Sequence, residues 1–358
     1  MRSSRKTSYT YINMQHKITT FIIAEASKAK RGKEAPPTPP VKSAPHYFEQ
    51  SVPTQFILSQ EKTEVNKIEV EIIAKTYHPD AILVEATLEV PDIFADGILE
   101  LKDELQAKCY ELAKKKGARE APSEEYTIYQ ISGYQKDPEL IMRTNAAKVA
   151  GLLKSEKLEL DENEINHTLS FQFKYAKDDL LIVDWDGAFL FDPDGEVGET
   201  VELLELANYQ LLRYRILDED LDKRMRRISE IAQPDEHDKK PWWLSFPRKV
   251  VTQEFREIIE VRSQAISQFE SVERDIKLIG DWYSARLYDL LSKKFRLDEW
   301  RQTIKEKLES LEDVYTIASE NLGMSRIQML ELIQIWGFFI LQVGWLVLIV
   351  LEFIYFTR

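Results

Sequence analysis

The chain is poor in the residue types that most often mark chemistry. It carries one cysteine, Cys109, in 358 residues, which excludes an internal disulfide and a disulfide-stapled fold. Cys109 sits inside LKDELQAKCYELAKKKG, a helical pattern, and reads as a semi-buried small apolar residue. The five histidines (His16, His46, His78, His167, His237) are scattered. No His-x-x-x-His pair offers a zinc ion two ligands on one helix face. There is no GxxxxGK phosphate loop and no GxGxxG turn, and no nucleophile elbow singles out a serine. Positive charge is also short: 48 Lys+Arg stand against 61 Asp+Glu, a net charge of -13. Nucleic-acid binding needs a positive face against phosphate, so no nucleic-acid partner is expected. The basic clusters, Lys114-Lys115-Lys116 and Arg224 to Arg227, sit among carboxylates and read as solvated helix surface.

What the chain does have is one long apolar run. Residues 332–351 are twenty consecutive uncharged positions, LIQIWGFFILQVGWLVLIVL, bracketed by Glu331 and Glu352. As a helix they span about 30 Å, one hydrocarbon core. Trp336 and Tyr355 lie near the two ends, where amphipathic rings favour the interface. We therefore expect a single-pass transmembrane anchor at residues 324–358, meeting lipid through residues 332–352. The N-terminal 24 residues hold Arg2, Arg5, Lys6 and Lys17 and no acid, a composition similar to a mitochondrial targeting sequence. KAKRGKEAPPTPPVKSAP follows at 28–45, too polar and Pro-rich to bury a core. Residues 1–47 are accordingly expected to be a disordered start and linker.

Between these ends two regimes follow one another. Residues 48–195 read as an α+β head with a mostly antiparallel sheet and two helices. NKIEVEIIAKTY and AILVEATLEV are strands joined at His-Pro-Asp. A helix runs from Pro91-Asp92 to about Lys116, and EEYTIYQISGY is a third strand. A second helix runs from Asp137-Pro138 to about Leu153. NHTLSFQFKYA at 166–176 alternates and predicts a strand with Leu169, Phe171, Phe173 and Tyr175 on one face. LLIVD and AFLF close the sheet. Residues 196–323 read as a helical stalk: one long helix over 199–231, then two heptad helices. In the first, Val251, Phe255, Ile258, Arg262, Ala265, Phe269, Val272, Ile276 and Ile279 keep steps of four and three, with Arg262 the one charged residue of the seam. In the second, Ile304, Leu308, Leu311, Tyr315, Ala318 and Leu322 do the same. The pattern predicts a coiled-coil hairpin that turns at Gly280-Asp281, with Ser284 capping the second arm and a break at Gly323 before the span. Its heptads imply a homo-oligomer.

The stretch LLIVDWDGAFLFDPDGE, residues 180–196, raises the one enzymatic question. Asp184 and Asp186 flank Trp185 and precede Gly187 after an apolar strand, which resembles the nucleophile motif of haloacid-dehalogenase-like phosphatases. LIGDWYSARLYD downstream resembles their Gly-Asp magnesium motif. Yet Ala188 stands where the pattern continues with Thr, and 196–280 offers no strand. Asp-Gly between apolar runs is also a strong hairpin signal. We therefore expect Asp186-Gly187 to close a hairpin and Asp192-Pro193-Asp194-Gly195 to end the sheet. No catalytic, cofactor-binding or metal residues are expected, and no enzyme.

The C-terminal half, residues 166–352, resembles a membrane-anchored family whose eukaryotic members are named for a requirement in meiotic nuclear division. Three segments carry the likeness: the apolar hairpin LLIVDWDGAFLF, the helix ELANYQLLRYRILDEDLDKRM, and the end of the chain. There Trp282-Tyr283, the heptads from Ile304 to Leu322 and Ser325-Arg326 lead in order into the apolar span. The resemblance implies a membrane protein without catalytic residues, whose mitochondrial members are inner-membrane anchoring factors that support organellar translation as homo-oligomers. The expected function is a non-enzymatic membrane scaffold or assembly factor with an unidentified protein partner, its bulk facing the cytoplasm or matrix. A CorA-like channel subunit is one alternative, although Gly323-Met324-Ser325 precedes a single span. A Mg-dependent phosphatase using Asp184 and Asp186 is the other.

Overall fold

The computed structural model describes residues 14–26, 33–34, 55–77, 80–135, 137–232 and 282–356, with a few helical positions between 263 and 270; at 33–34, 120, 227–232 and 314–329 it describes the backbone alone. Nine strands form one sheet in the order β2-β3-β4-β5-β1-β6-β9-β8-β7. Their ranges are β1 Gln15–Ala26, β2 Lys33–Glu34, β3 Gln55–Val65, β4 Ile68–Tyr77, β5 Ala81–Val90, β6 Ala118–Ser132, β7 Gln172–Phe173, β8 Leu180–Val183 and β9 Gly187–Phe191. Every pairing is antiparallel except β6 with β9, so the fold is a mixed α+β one with a mostly antiparallel sheet. The helices are α1 Ile98–Lys116, α2 Pro138–Thr144, α3 Ala146–Leu153, α4 Glu162–Ser170, α5 Gly198–Ala232, α6 Trp282–Lys294 and α7 Leu297–Phe356.

The largest correction concerns the expected disordered start. Residues 15–26 are β1, which lies between β5 and β6. Its middle, ITTFIIA, is buried on both faces. A central strand covered on both sides loses the polar-apolar alternation that marks a half-buried one, and here that short apolar run hid among basic residues. The Pro-rich linker lies outside the described residues, apart from Lys33–Glu34, which form β2. β3 was not expected either. It pairs with β4 through a two-residue turn, Asn66-Lys67, with both φ positive at 52° and 66°, the geometry that suits the right-handed twist of a hairpin.

The expected strand at 166–176 is also corrected. Residues 162–170 are α4, started by Asp161, whose side chain accepts from Asn163 N–H, and only Gln172–Phe173 is strand. The apolar residues that alternate in sequence therefore part: Phe173 is buried and Tyr175 exposed. The second expected helix is two, α2 and α3, divided at Asn145, whose Nδ2 donates to the Ile141 carbonyl.

One face of the sheet packs against α1, α3 and α4. This core includes Ile18, Ile22, Val70, Val84, Leu88, Leu105, Val149, Ile182 and Phe189, and Cys109 is fully buried in it. The other face carries Phe21, Tyr77 and Tyr126 and receives α5 and the end of α6: Tyr77 meets Tyr209 at 5.3 Å and Tyr126 meets Phe295 at 5.8 Å. Twelve successive residues of α5, 203–214, are all buried. A helix buried all round needs partners for its polar groups, and most of them have one. Glu205 meets Lys75 and Tyr77, Arg213 meets Asp80, and Gln210 accepts from the Tyr288 hydroxyl. The start of the expected stalk is thus core of the head.

Two compact units can be separated, Met1–Asp220 with Ser267–Ile304 and Leu221–Ile266 with Lys305–Arg358. In the first, α6 buries Tyr283, Leu287, Tyr288, Leu291 and Lys294. Ser284 lies inside α6 and donates to Glu199, so it does not cap the second heptad arm; Arg296, at φ 54°, separates α6 from α7. In the second, Lys307 Nζ lies 2.6 Å from Asp222 Oδ1. α7 runs through Gly323 as one helix, which removes the expected break: intact backbone bonds on either side carry a lone glycine at a cost of about 1 kcal/mol. The first heptad segment, 251–279, and Gly280-Asp281 lie almost wholly outside the described residues. One helix among the described residues, Leu330–Phe356, is long and apolar enough to cross a membrane, and none of it is buried within the protein.

Candidate functional site

The β8–β9 hairpin has the expected place. Its register runs from Leu180↔Phe191 to Val183↔Ala188, and its turn is Asp184-Trp185-Asp186, closed by Asp184 N–H donating to the Gly187 carbonyl at 2.8 Å. Gly187 is required by packing. A Cβ there would stand 2.7 Å from the Thr127 carbonyl oxygen, because β9 lies parallel against β6. At the far end of β9, Asp192 Oδ1 accepts from the backbone N–H of Asp194, Gly195 and Glu196. That turn releases the chain from the sheet into α5.

The two acidic residues of the turn have different surroundings. Asp184 is 2% exposed. Its Oδ1 lies 2.6 Å from Lys294 Nζ and accepts from Trp185 N–H at 2.8 Å. Its Oδ2 has Lys154 Nζ at 3.6 Å, an ion-pair distance beyond a hydrogen bond, and no hydrogen-bond partner within the protein. Lys154, the residue that ends α3, sits closer to Glu164 of α4, at 2.8 Å. That bond and the Asp184 charge raise its ammonium above the ordinary range, and the same bond holds the Glu164 carboxyl below its own, with Asp184 opposing. Asp186 is accessible at the surface. Partial desolvation raises its carboxyl, with Asp184 adding to the effect and Lys102 and Lys154 opposing it. Beneath the turn, Tyr126 OH donates to the Asp184 carbonyl at 3.1 Å.

These groups line a cavity of about 380 Å³, whose walls are Lys154, Glu156, Leu160, Glu164, Asp184, Trp185 and Asp186. Trp185 is 39% exposed and leans on Phe295 with ring centroids 5.9 Å apart. Lys294 Nζ also lies 4.3 Å from the Phe171 ring centroid. Sequence reading singled out Asp184 and Asp186 but missed Lys154 and Lys294. A signal for Lys294 exists: it continues the stripe Tyr283, Leu287, Leu291 at helical spacing, so a lysine falls on the buried face of α6. A lysine there must find a carboxylate. Lys154 has no comparable local signal.

A second polar cluster lies between the sheet and α5. Lys75 Nζ stands 3.2 Å from Glu85 Oε2 and 3.3 Å from Glu205 Oε1, and Tyr77 OH donates to Glu205 Oε2 at 2.7 Å. Gln55 Nε2 donates to Glu202 at 2.7 Å beside it. Burial pushes the Glu205 carboxyl up to about 7 against the pull of Lys75. Burial works the other way on Lys75, but the two carboxylates outweigh it and raise its ammonium.

Among the described residues no group of three His, Cys, Asp or Glu side chains is gathered to hold a metal ion. His16 is buried and accepts from Ile93 N–H through Nδ1, and burial lowers its pKa. Burial pushes the Cys109 thiol up to about 12, which leaves it unreactive near neutrality.

Residues 9–197 match the family described as "Uncharacterized protein MJ0711, N-terminal domain". That span takes in β1, the whole described sheet and helices α1 to α4, and stops where α5 begins. The chain is 30% identical over 275 residues to "Uncharacterized protein MJ0711" of Methanocaldococcus jannaschii, a match that covers 77% of this chain and 80% of that one. No solved structure matches. The extent of both matches settles the relationship: the chain belongs to the family of protein MJ0711.

Proposed function

We propose that the protein is a non-enzymatic membrane-anchored scaffold, which holds an α+β head and a coiled-coil stalk at a lipid bilayer. The observation that carries this reading is the segment Leu330–Phe356: 27 residues of one unbroken helix, mostly apolar, none of them covered by the protein. So many exposed leucine, isoleucine, valine and phenylalanine side chains are costly in water and favourable in hydrocarbon. The heptads of α7 and of residues 251–279 support self-association. The resemblance to the meiotic nuclear division family supports both, with the head on the cytoplasmic or matrix side.

The test is fractionation of cells that express the full chain. The protein stays in the membrane pellet after an alkaline wash, and crosslinking of the washed membranes yields oligomers or one stable partner. A variant with Leu341→Asp and Leu346→Asp moves to the soluble fraction, since each buried aspartate costs about 3 kcal/mol at a bilayer centre. Release of the unaltered chain by the wash, or a strictly monomeric chain with no partner, defeats the proposal.

A further inference from the structure

We propose that the cavity beside the β8–β9 turn binds a small organic ammonium ion, and that Lys154 is its built-in competitor. The cavity, about 380 Å³, falls in the size range of small-molecule sites. Carboxylates dominate its wall: Glu156, Glu164, Asp184 and Asp186 against one lining ammonium, Lys154. Lys294, below the wall, is committed to Asp184 Oδ1. An anion would meet a net negative surface, whereas a cation would not.

Two further observations point to a cation. The first is the Asp184 carboxylate, 2% exposed, with Oδ1 doubly bonded and Oδ2 left without a hydrogen bond. A buried carboxylate oxygen in that condition is unusual. Lys294 is bound at Oδ1, and the cation that faces Oδ2 is Lys154 Nζ, at 3.6 Å, held away by its closer bond to Glu164. The side chain of Lys154 is 28% exposed and already bonds Glu164 at 2.8 Å, so a turn further toward Glu164 would uncover Oδ2 for a ligand ammonium. The second is Trp185, which presents a half-open ring on the same wall. Tryptophan offers the strongest aromatic face to a cation. Lys154 therefore occupies the position that the ligand ammonium would take, and Asp186, exposed at the surface, is available for a second amino group.

Titration calorimetry of the full chain in detergent micelles tests this, with 1,4-diaminobutane as the probe and magnesium chloride and sodium phosphate as parallel titrants. The diamine saturates one site. Lys154→Met removes the competitor and tightens binding several-fold. Asp186→Asn and Glu156→Gln each weaken it by about tenfold, the loss of one charge-assisted hydrogen bond, while the thermal midpoint stays unchanged. Glu156→Gln keeps the oxygen that accepts from Lys157 and Leu158 N–H, so it reads the site even if Asp186→Asn perturbs the turn. The proposal is overturned by any of three results: no saturable diamine binding in either the natural chain or Lys154→Met; diamine binding indifferent to both carboxylate variants; or phosphate or magnesium binding at this site that Lys154→Met abolishes or the diamine fails to displace.

Discussion

At the scale of single residues, two positions hold the hairpin turn in place. Gly187 allows β9 to lie against the Thr127 carbonyl, where a methyl group would approach to 2.7 Å. Gly187→Ala must push two strands apart, and we expect a loss of about 1–3 kcal/mol, read from the urea midpoint. Lys294 holds Asp184 across a pair in which both side chains are below 5% exposed. Lys294→Met leaves a buried carboxylate without its main countercharge and should cost about 3–5 kcal/mol. The double variant Asp184→Asn with Lys294→Met removes the charge as well and recovers much of that loss. A double variant no better than the single one would show that Lys294 acts through packing on Phe171. Asp184 was visible in the sequence as half of an Asp-x-Asp-Gly pattern. Its role was not, because the lysine that neutralises it is 110 positions downstream on another helix.

At the scale of elements, legibility followed periodicity. β4, β5, β6, β8 and β9 and α5 lie where apolar spacing and turn residues put them, and α1 ends as expected at Lys116 but opens at Ile98 and not at Pro91-Asp92. β1 was missed because a strand buried on both faces does not alternate. α4 was read as a strand because Leu169, Phe171, Phe173 and Tyr175 alternate across a junction: the helix, opened by Asp161, ends at Ser170 and the strand begins at Gln172. β3 escaped because its outer half, SQEKTE, is polar, as suits a strand near the sheet edge. Its turn makes a direct test. Lys67 holds φ at 66°, a conformation that glycine adopts without strain. Lys67→Gly should leave the hairpin unharmed or stabilise the chain by up to about 1 kcal/mol, checked by thermal denaturation. A drop of that size would mean that the lysine side chain matters more than its backbone angle.

At the scale of the whole molecule, the head stores protons. Burial raises Glu205 to about 7, and Glu124, beside Arg215, also to about 7, from an ordinary value of 4.5. Between those values the folded chain holds more protons than the unfolded one, so the free energy of unfolding falls as pH rises from about 4.5 to about 7. These two groups thus favour the fold most on the acid side of the window and least above pH 7. The thermal midpoint should be several degrees higher at pH 5 than at pH 8, and Glu205→Gln should flatten part of that slope. A midpoint that climbs steadily from pH 5 to pH 8 in both chains would contradict the assignment. The acidic surplus, net -13, acts in the same direction by self-repulsion at high pH.

The sequence by itself determined what depends on local pattern. It placed the hairpin strands, the long helices and the apolar segment at the end of α7, because each repeats at the period of its own backbone. It also excluded an internal disulfide, and the hairpin signal at Asp186-Gly187 was sound. Only the tertiary structure decided what depends on distant partners. It put residues 15–26 in the middle of the sheet, made the first half of α5 part of the core, and brought Lys154 and Lys294 to Asp184. A buried charge is stable only beside its counterpart, and no local window of sequence contains both.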